Sequence, residues 1–307
     1  MSNVLKIGTR ESQLAVWQAE LVKTSLAAHG IDSELVFIRS EGDIDLVTPL
    51  YEIGVQGIFT KTLDAALLAK KIDVAVHSMK DVPTQLAKGI IQAAVLPRAS
   101  SQDLLVYKHT PSFLEDTASV ATIATSSVRR KAQWLHRYPG HHLENLRGNV
   151  NTRLRKITEQ NWDGAIFAAA GLERIRLRPE NSVTLEWMLP APAQGAIMVV
   201  CREEDAGAWQ DGALLNDPGT ALCTKIERDF LKALMGGCAT PISALAELRN
   251  EKIYFQGNIF SPDGKEKVAI EKISDPDEAA MLGTESGRQV WKNGGDKITE
   301  AIRNGHH

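Results

Sequence analysis

The 307-residue chain is poor in several things that would assign it quickly. Its three cysteines, Cys201, Cys223 and Cys238, are too few and too widely spaced for a disulfide framework or a CxxC metal site. No HExxH occurs, and no metal is expected. No stretch approaches the ~18–20 apolar residues that a spanning helix needs. The longest apolar runs, 165–170 and 196–201, read as buried strands. Lys6, Arg10, Glu11 and Glu20 break up the first twenty residues, so no leader-like apolar core forms there. The formal net charge is −3, which gives no global field to recruit nucleic acid; anion binding must come from local clusters. These absences point to a cytoplasmic protein with no nucleic-acid or membrane partner.

Apolar residues make up 43% of the chain and charged residues 24%. At ~100–200 residues per domain this allows two or three packed cores. Residues 4–7 read as a strand, Gly8-Thr9-Arg10 as a turn, and Ser12 as the N-cap of a helix with a Leu14–Trp17–Leu21 stripe that Gly30 ends. Residues 35–38 form the next strand. Phe59, Leu63, Ala66 and Leu67 mark a helix face, 73–77 a strand, and 90–96 another. A second lobe starts near residue 98, with strands at 120–124 and 165–169 and a helix through Val150, Leu154 and Ile157. Asp73-Val-Ala-Val echoes Asp163-Gly-Ala-Ile, and the Gly8–Ser12 turn echoes Ala124–Ser127. Two similar α/β lobes across a cleft, with strand ends pointing into it, would explain both echoes. Beyond residue 217 the texture changes. An amphipathic helix (Leu222, Ile226, Phe230, Ala233, Leu234) precedes two strands around a 261–264 turn and a last helical region at 277–302.

Three clusters carry chemistry. Arg129 and Arg130 follow the Thr125-Ser126-Ser127 turn, with Arg147, Arg153 and Arg155 downstream. A helix start offers N–H groups to an anion, and guanidinium forks suit carboxylates or phosphates; a solvated basic face has the same composition. Lys80-Asp81 follows a buried strand, where α/β sheets place their sites, although an adjacent Lys and Asp also make an ordinary loop salt bridge. Cys201 and Cys223 read as buried structural thiols. Cys238 follows two glycines and precedes Pro241, so it reads as an exposed attachment point or nucleophile.

Taken together, these stretches resemble the porphobilinogen deaminase (hydroxymethylbilane synthase) family nearly end to end. The resemblance is carried by Ile7-Gly8-Thr9-Arg10 with Ser12, Gly57-Ile58-Phe59, Ala75–Pro83 (AVHSMKDVP), Thr125–Arg130 (TSSVRR), Leu146–Val150 (LRGNV) with Thr152-Arg153-Leu154, Ala168–Leu172, Gln194-Gly195-Ala196, and Gly236-Gly237-Cys238 with Pro241-Ile242. It implies an α/β fold of two periplasmic-binding-protein-like lobes flanking a cleft, plus a small α+β C-terminal domain carrying the cofactor cysteine. The corresponding boundaries are 1–97, completed by 195–214, then 98–194, then 217–307.

The resemblance also implies a chemistry. Dipyrromethane would be held through a thioether on Cys238. Porphobilinogen units would be added to it head to tail with loss of ammonia, and hydrolysis would release hydroxymethylbilane. Asp81 would be the catalytic carboxylate, stabilising positive charge near the pyrrole nitrogens. Lys80, Asp81, Thr125, Ser126, Ser127, Arg129, Arg130 and Gly171 would contact the cofactor. Arg10, Ser12, Phe59, Arg147, Arg153 and Gln194 would contact substrate. A monomer is implied. The sequence departs from the family pattern at Gln56, Thr62, Ala193 and Glu41, which touches the active-site loop and one anion contact. A non-catalytic anion-binding protein of two lobes, or a relative that has lost turnover, are the competing readings; the first has no use for Cys238.

Overall fold

The computed structural model describes residues 4–39, 60–235 and 240–304. Its strands are β1 (Leu5–Thr9), β2 (Ser33–Phe37), β3 (Val74–Ser78), β4 (Ile90–Val95), β5 (Asp103–Tyr107), β6 (Thr122–Ala124), β7 (His142–Glu144), β8 (Gly164–Ala168), β9 (Ser182–Thr184), β10 (Ile197–Arg202), β11 (Ile242–Arg249), β12 (Lys252–Phe260) and β13 (Lys267–Ser274). Its α-helices are α1 (Gln13–Ala28), α2 (Lys61–Leu68), α3 (Val128–Arg137), α4 (Val150–Glu159), α5 (Ala169–Arg174), α6 (Ala206–Ala213), α7 (Pro218–Ala233), α8 (Leu282–Val290) and α9 (Asp296–Asn304). The chain forms two compact units. Among the described residues the first holds 4–39, 60–100 and 195–222, and the second holds 101–194, 223–235 and 240–304.

The first unit is a five-stranded sheet in the order β2-β1-β3-β10-β4. β1 pairs parallel with β2 and β3, while β10 runs antiparallel to β3 and β4. Helix α1 supplies the crossover that a parallel β1–β2 pair requires. Ser12 starts α1, accepting from the Ala15 N–H at 3.4 Å. Gly30 closes it at φ +77, donating to Ala27 O at 3.0 Å. The buried face of α1 is Gln18, Ala19, Val22 and Leu26, shifted from the Leu14–Trp17–Leu21 stripe expected from the sequence; Leu21 is exposed. Gln18 turns inward because its amide bonds the Ser78 hydroxyl at 2.9 Å. A polar residue on the core face hides that face from a reading of apolar spacing alone.

The second unit contains a sheet ordered β7-β6-β8-β5-β9. β6 is parallel to β7 and β8, and β5 is antiparallel to β8 and β9. The two sheets therefore share one plan: three parallel strands, one reversed strand, one edge strand. They differ in when the chain supplies the reversed strand, late for the first unit (β10) and early for the second (β5). Both reversed strands are central, and every residue of β10 is buried, so they read as continuous apolar runs. Leu105, Ile123 and Ile166 pack against Trp134 and Tyr138 on one face, and Leu104, Ala165 and Phe167 against Ile157 and Leu172 on the other.

The same unit contains the antiparallel sheet β11-β12-β13. Phe230 of α7 meets Phe255 edge-on at 5.3 Å, in a place where a Cβ on Gly257 would lie 2.6 Å from the Phe230 ring. Gly283 and Gly287 let α8 close on α7, since a Cβ at Gly283 would fall 2.0 Å from Ile226 O. Glu227, fully buried on α7, accepts from Ala193 N at 2.6 Å and Ala246 N at 2.8 Å.

Ala193, one of the departures from the family pattern, sits at φ +62, a left-handed conformation that costs an L-residue roughly 1–2 kcal/mol. Ala193→Gly removes that strain while losing one buried methyl and gaining unfolded-state entropy. It is expected to leave unfolding free energy within about 1 kcal/mol of the parent. Ala193→Val, which adds β-branching at the same backbone, should cost more than roughly 2 kcal/mol. Urea titrations of the two variants check this; equal losses would contradict it.

Candidate functional site

In the first unit the candidate residues gather at the C-terminal ends of adjacent parallel strands. Arg10 follows β1 and is half-buried; Ser12 caps α1 beside it. Lys80 and Asp81, both half-buried, lie on the short 3-10 turn Met79–Asp81 directly after β3. The turn is fixed from below, since Met79 N donates to Ala196 O at 3.0 Å and Val82 N to Met79 O at 3.1 Å. Thr62, another departure, is in the first turn of α2, and its buried hydroxyl has no hydrogen-bond partner among the described residues.

The second unit repeats the placement. The turns after β7, β6 and β8 lead into α4, α3 and α5, so Arg147 and Arg153, Thr125–Arg130, and Gly171 share the C-terminal edge of three parallel strands. Ser127 caps α3, accepting from Arg130 N at 3.4 Å. Asn149 caps α4, accepting from Thr152 N at 2.9 Å. The Ser126 hydroxyl is tied to the neighbouring turn, accepting from Leu146 N at 3.0 Å and donating to Asn145 Oδ1 at 2.5 Å. Arg147 is buried, and Arg153 donates from Nε to Gly148 O at 2.7 Å. Gly148 has φ +109, and a Cβ there would lie 2.7 Å from Thr152. Burial lowers the Arg174 pKa to about 10.

Arg129 and Arg130 are held more tightly than sequence spacing suggested. Asp103, fully buried at the start of β5, accepts from Arg129 NH2 at 2.7 Å and from Arg130 NH2 and Nε at 2.7 and 3.1 Å. Arg129 also donates to Leu189 O at 2.8 Å and Arg130 to Ile166 O at 3.0 Å. Gln194 completes the cluster, donating to Asp103 Oδ1 at 2.9 Å and Ser101 O at 2.8 Å. Burial pushes the Asp103 carboxyl up, but Arg129, Arg130 and their hydrogen bonds outweigh it and hold the group well below the usual carboxylate range. A guanidinium has five N–H donors, so neither arginine is exhausted, and the buried Arg129 Nε has no acceptor among the described residues. Such an unspent donor fits an acidic ligand group, as the carboxylates of a dipyrromethane would be. Asp103 escaped the sequence reading. Its only local signal is a lone carboxylate opening the apolar run Leu104–Val106.

Phe59 and Cys238 lie outside the described residues, as do Gln56 and Glu41. Cys201 and Cys223 are buried, and burial raises the Cys201 thiol to about 11. Among the described residues no group of three His, Cys, Asp or Glu gathers in a way that would hold a metal. No described helix is long and apolar enough to cross a membrane.

His77, on β3, is buried, and its Nε2 has no hydrogen-bond partner among the described residues. It lines a small cavity with Thr60, Asp64, Val82 and Pro83. Burial, and then the charge of Arg10, push its pKa down to about 4. A histidine buried neutral gives stability that is complete above the unfolded value of about 6.5 and is lost as pH falls towards 4, at most on the order of 3 kcal/mol. Denaturant titrations at pH 7, 5.5 and 4.5 should show this loss in the parent and a shallower one in His77→Gln. Asp64, whose carboxyl burial raises against a hydrogen bond from Thr60, titrates with the opposite sign in both proteins. Identical slopes would remove His77 from the account.

Two family models match the chain: "Porphobilinogen deaminase, dipyromethane cofactor binding domain" over residues 5–210 and "Porphobilinogen deaminase, C-terminal domain" over residues 221–291. A curated porphobilinogen deaminase of Chlorobium phaeobacteroides (strain BS1) is 36% identical over 311 aligned positions, covering 99% of each chain. Among solved structures, a nutrient-binding protein from Burkholderia cenocepacia bound to methionine aligns at 14% identity and TM-score 0.42, over 71% of this chain and 93% of that one. The methionine-binding protein MetQ aligns at 14% identity and TM-score 0.42, over 69% and 89%. These two distant likenesses carry no argument about function. The family models and the curated relative, which run nearly end to end, establish that the chain belongs to the porphobilinogen deaminase family.

Proposed function

We propose that the protein is a working hydroxymethylbilane synthase with its site at the strand ends described above, Asp81 as its catalytic carboxylate and Cys238 as its cofactor anchor. The observation that carries this reading is a set of guanidinium donors at the C-terminal strand ends of both sheets, in a protein of net charge −3. When bound, dipyrromethane supplies the pyrrole carbon from which four porphobilinogen units are linked head to tail with loss of ammonia, before hydrolysis frees hydroxymethylbilane.

The chain's own residues bind, orient and stabilise charge. Asp81 sits on a turn pinned by backbone bonds, so its carboxylate meets positive charge developing at a pyrrole nitrogen with little reorganisation. Lys80 beside it binds a carboxylate of the cofactor, and Arg10 with Ser12 on the adjacent strand end bind carboxylates of the substrate. Arg147 and Arg153 bind further carboxylates, which multiply as units are added. Thr125–Ser127 lead into α3, where Arg129 and Arg130 add net positive charge against the cofactor, and Gly171 lies on α5 after the neighbouring strand β8. Gln194, expected from the family motif to contact substrate, is fully buried and bonded to Asp103, so its part in binding is indirect. The roles of Phe59, beside the rings, and of Cys238 are those the family motif implies. The C-terminal region from 217 is read as the cofactor-carrying domain. A cytoplasmic monomer with a small-molecule substrate, and without nucleic-acid or membrane partners, fits the buried Cys201 and Cys223 and the net charge of −3.

Intact mass after incubation with porphobilinogen tests the anchor. The parent should gain one dipyrromethane and Cys238→Ala should gain none; a modified Cys238→Ala protein would place the anchor elsewhere. Asp81→Ala should still load while releasing bilane at less than about a hundredth of the parental rate. Near-parental release would remove Asp81 from the chemistry. A parent that loads but never releases product would be a relative without turnover.

A further inference from the structure

Asp103 has no role in the reading above, yet both arginines proposed to bind the cofactor at the start of α3 are bonded to it. Arg129 and Arg130 are consecutive residues in the first turn of a ten-residue helix. Backbone N–H groups already make that end positive, so two cations there repel the helix dipole and each other. Burial weakens the protonated form of Arg129 most, the Asp103 charge supports it, and the Arg130 charge weakens it further. Asp103 accepts from one NH2 of Arg129 and from the Nε–NH2 edge of Arg130. The two Arg130 donors converge on Oδ1, which restricts the plane of that guanidinium. Gln194 then fixes the carboxylate itself.

We propose that Asp103 is a positioning residue for the covalent loading of this enzyme. It orients the Arg129 and Arg130 guanidiniums and cancels one of their two charges, so that their remaining N–H groups present a preset, singly positive receptor to ligand carboxylates. This rests on the functional reading above, and specifically on those arginines binding the dipyrromethane.

The test uses the full chain prepared without cofactor, incubated with porphobilinogen and followed by intact mass over time, with denaturant unfolding of each variant measured in parallel. Asp103→Glu keeps the charge and moves the carboxylate by one methylene. It should unfold cooperatively, yet load about tenfold or more slowly, because small misplacements of binding groups have large kinetic effects. Arg129→Lys should also slow loading. The double variant Asp103→Glu/Arg129→Lys should be little slower than the worse single one, since both act through the same fork. A purely structural role predicts loading that follows the folded fraction alone, and would leave a folded Asp103→Glu within about twofold of the parent; that result overturns the proposal, as would fully multiplicative effects in the double variant. If Asp103→Glu does not fold, Gln194→Met carries the test: it removes one donor to the same oxygen and leaves both ion pairs. Parental loading by Gln194→Met would then overturn the proposal. Failure of the parent itself to load would instead overturn the functional reading.

Discussion

The strand-end turns of the second unit's larger sheet are organised around one buried carboxylate, Asp103. Asp103 is fully enclosed, and two arginines, also buried, share it. Removing one partner from such an arrangement leaves an uncompensated interior charge, typically costing about 3–5 kcal/mol. The pairing is therefore a constraint before it is a source of stability: β5 must start where α3 starts, or three charges are stranded. Because Gln194 donates to the same carboxylate and to Ser101 O, the constraint extends to the segment that ends the second unit's first pass.

The two sheets use one plan, and that plan explains the placement of the polar residues. Parallel strands end on a common edge, where crossover helices begin. Each such helix begins with unbonded N–H groups that a cap only partly satisfies. Ser12, Ser127 and Asn149 mark those starts, and the basic residues cluster around them. A chain of net negative charge thereby builds local positive fields on two separate sheets without becoming a general polyanion binder.

Several buried polar groups serve geometry. Gln18 joins α1 to Ser78 just before the Lys80–Asp81 turn. Glu227 uses both carboxylate oxygens on backbone N–H groups, Ala193 on one side and Ala246 on the other. The left-handed Ala193 turns the chain so that its N–H meets that carboxylate. In each case a hydrogen bond to a distant part of the chain fixes a turn that local propensity would leave loose.

The sequence by itself determined the local features. Caps at Ser12 and Ser127, the stop at Gly30, the 261–264 hairpin and most of the strands follow from short-range sterics and hydrogen bonding. The AVHSMKDVP and LRGNV motifs, read as a resemblance, carried the family and its expected chemistry. Tertiary structure decided the rest. No local pattern told that β10 would enter the first sheet between β3 and β4, or that β5, unnoticed in the sequence, would be the reversed strand of the second. Nor did any spacing join Asp103 to arginines 26 and 27 residues away and to Gln194, 91 residues away. Apolar periodicity reports which face of an element is buried; it says nothing about which other element buries it. A lone carboxylate in front of an apolar strand becomes the centre of a charge cluster only once the fold has removed water from around it.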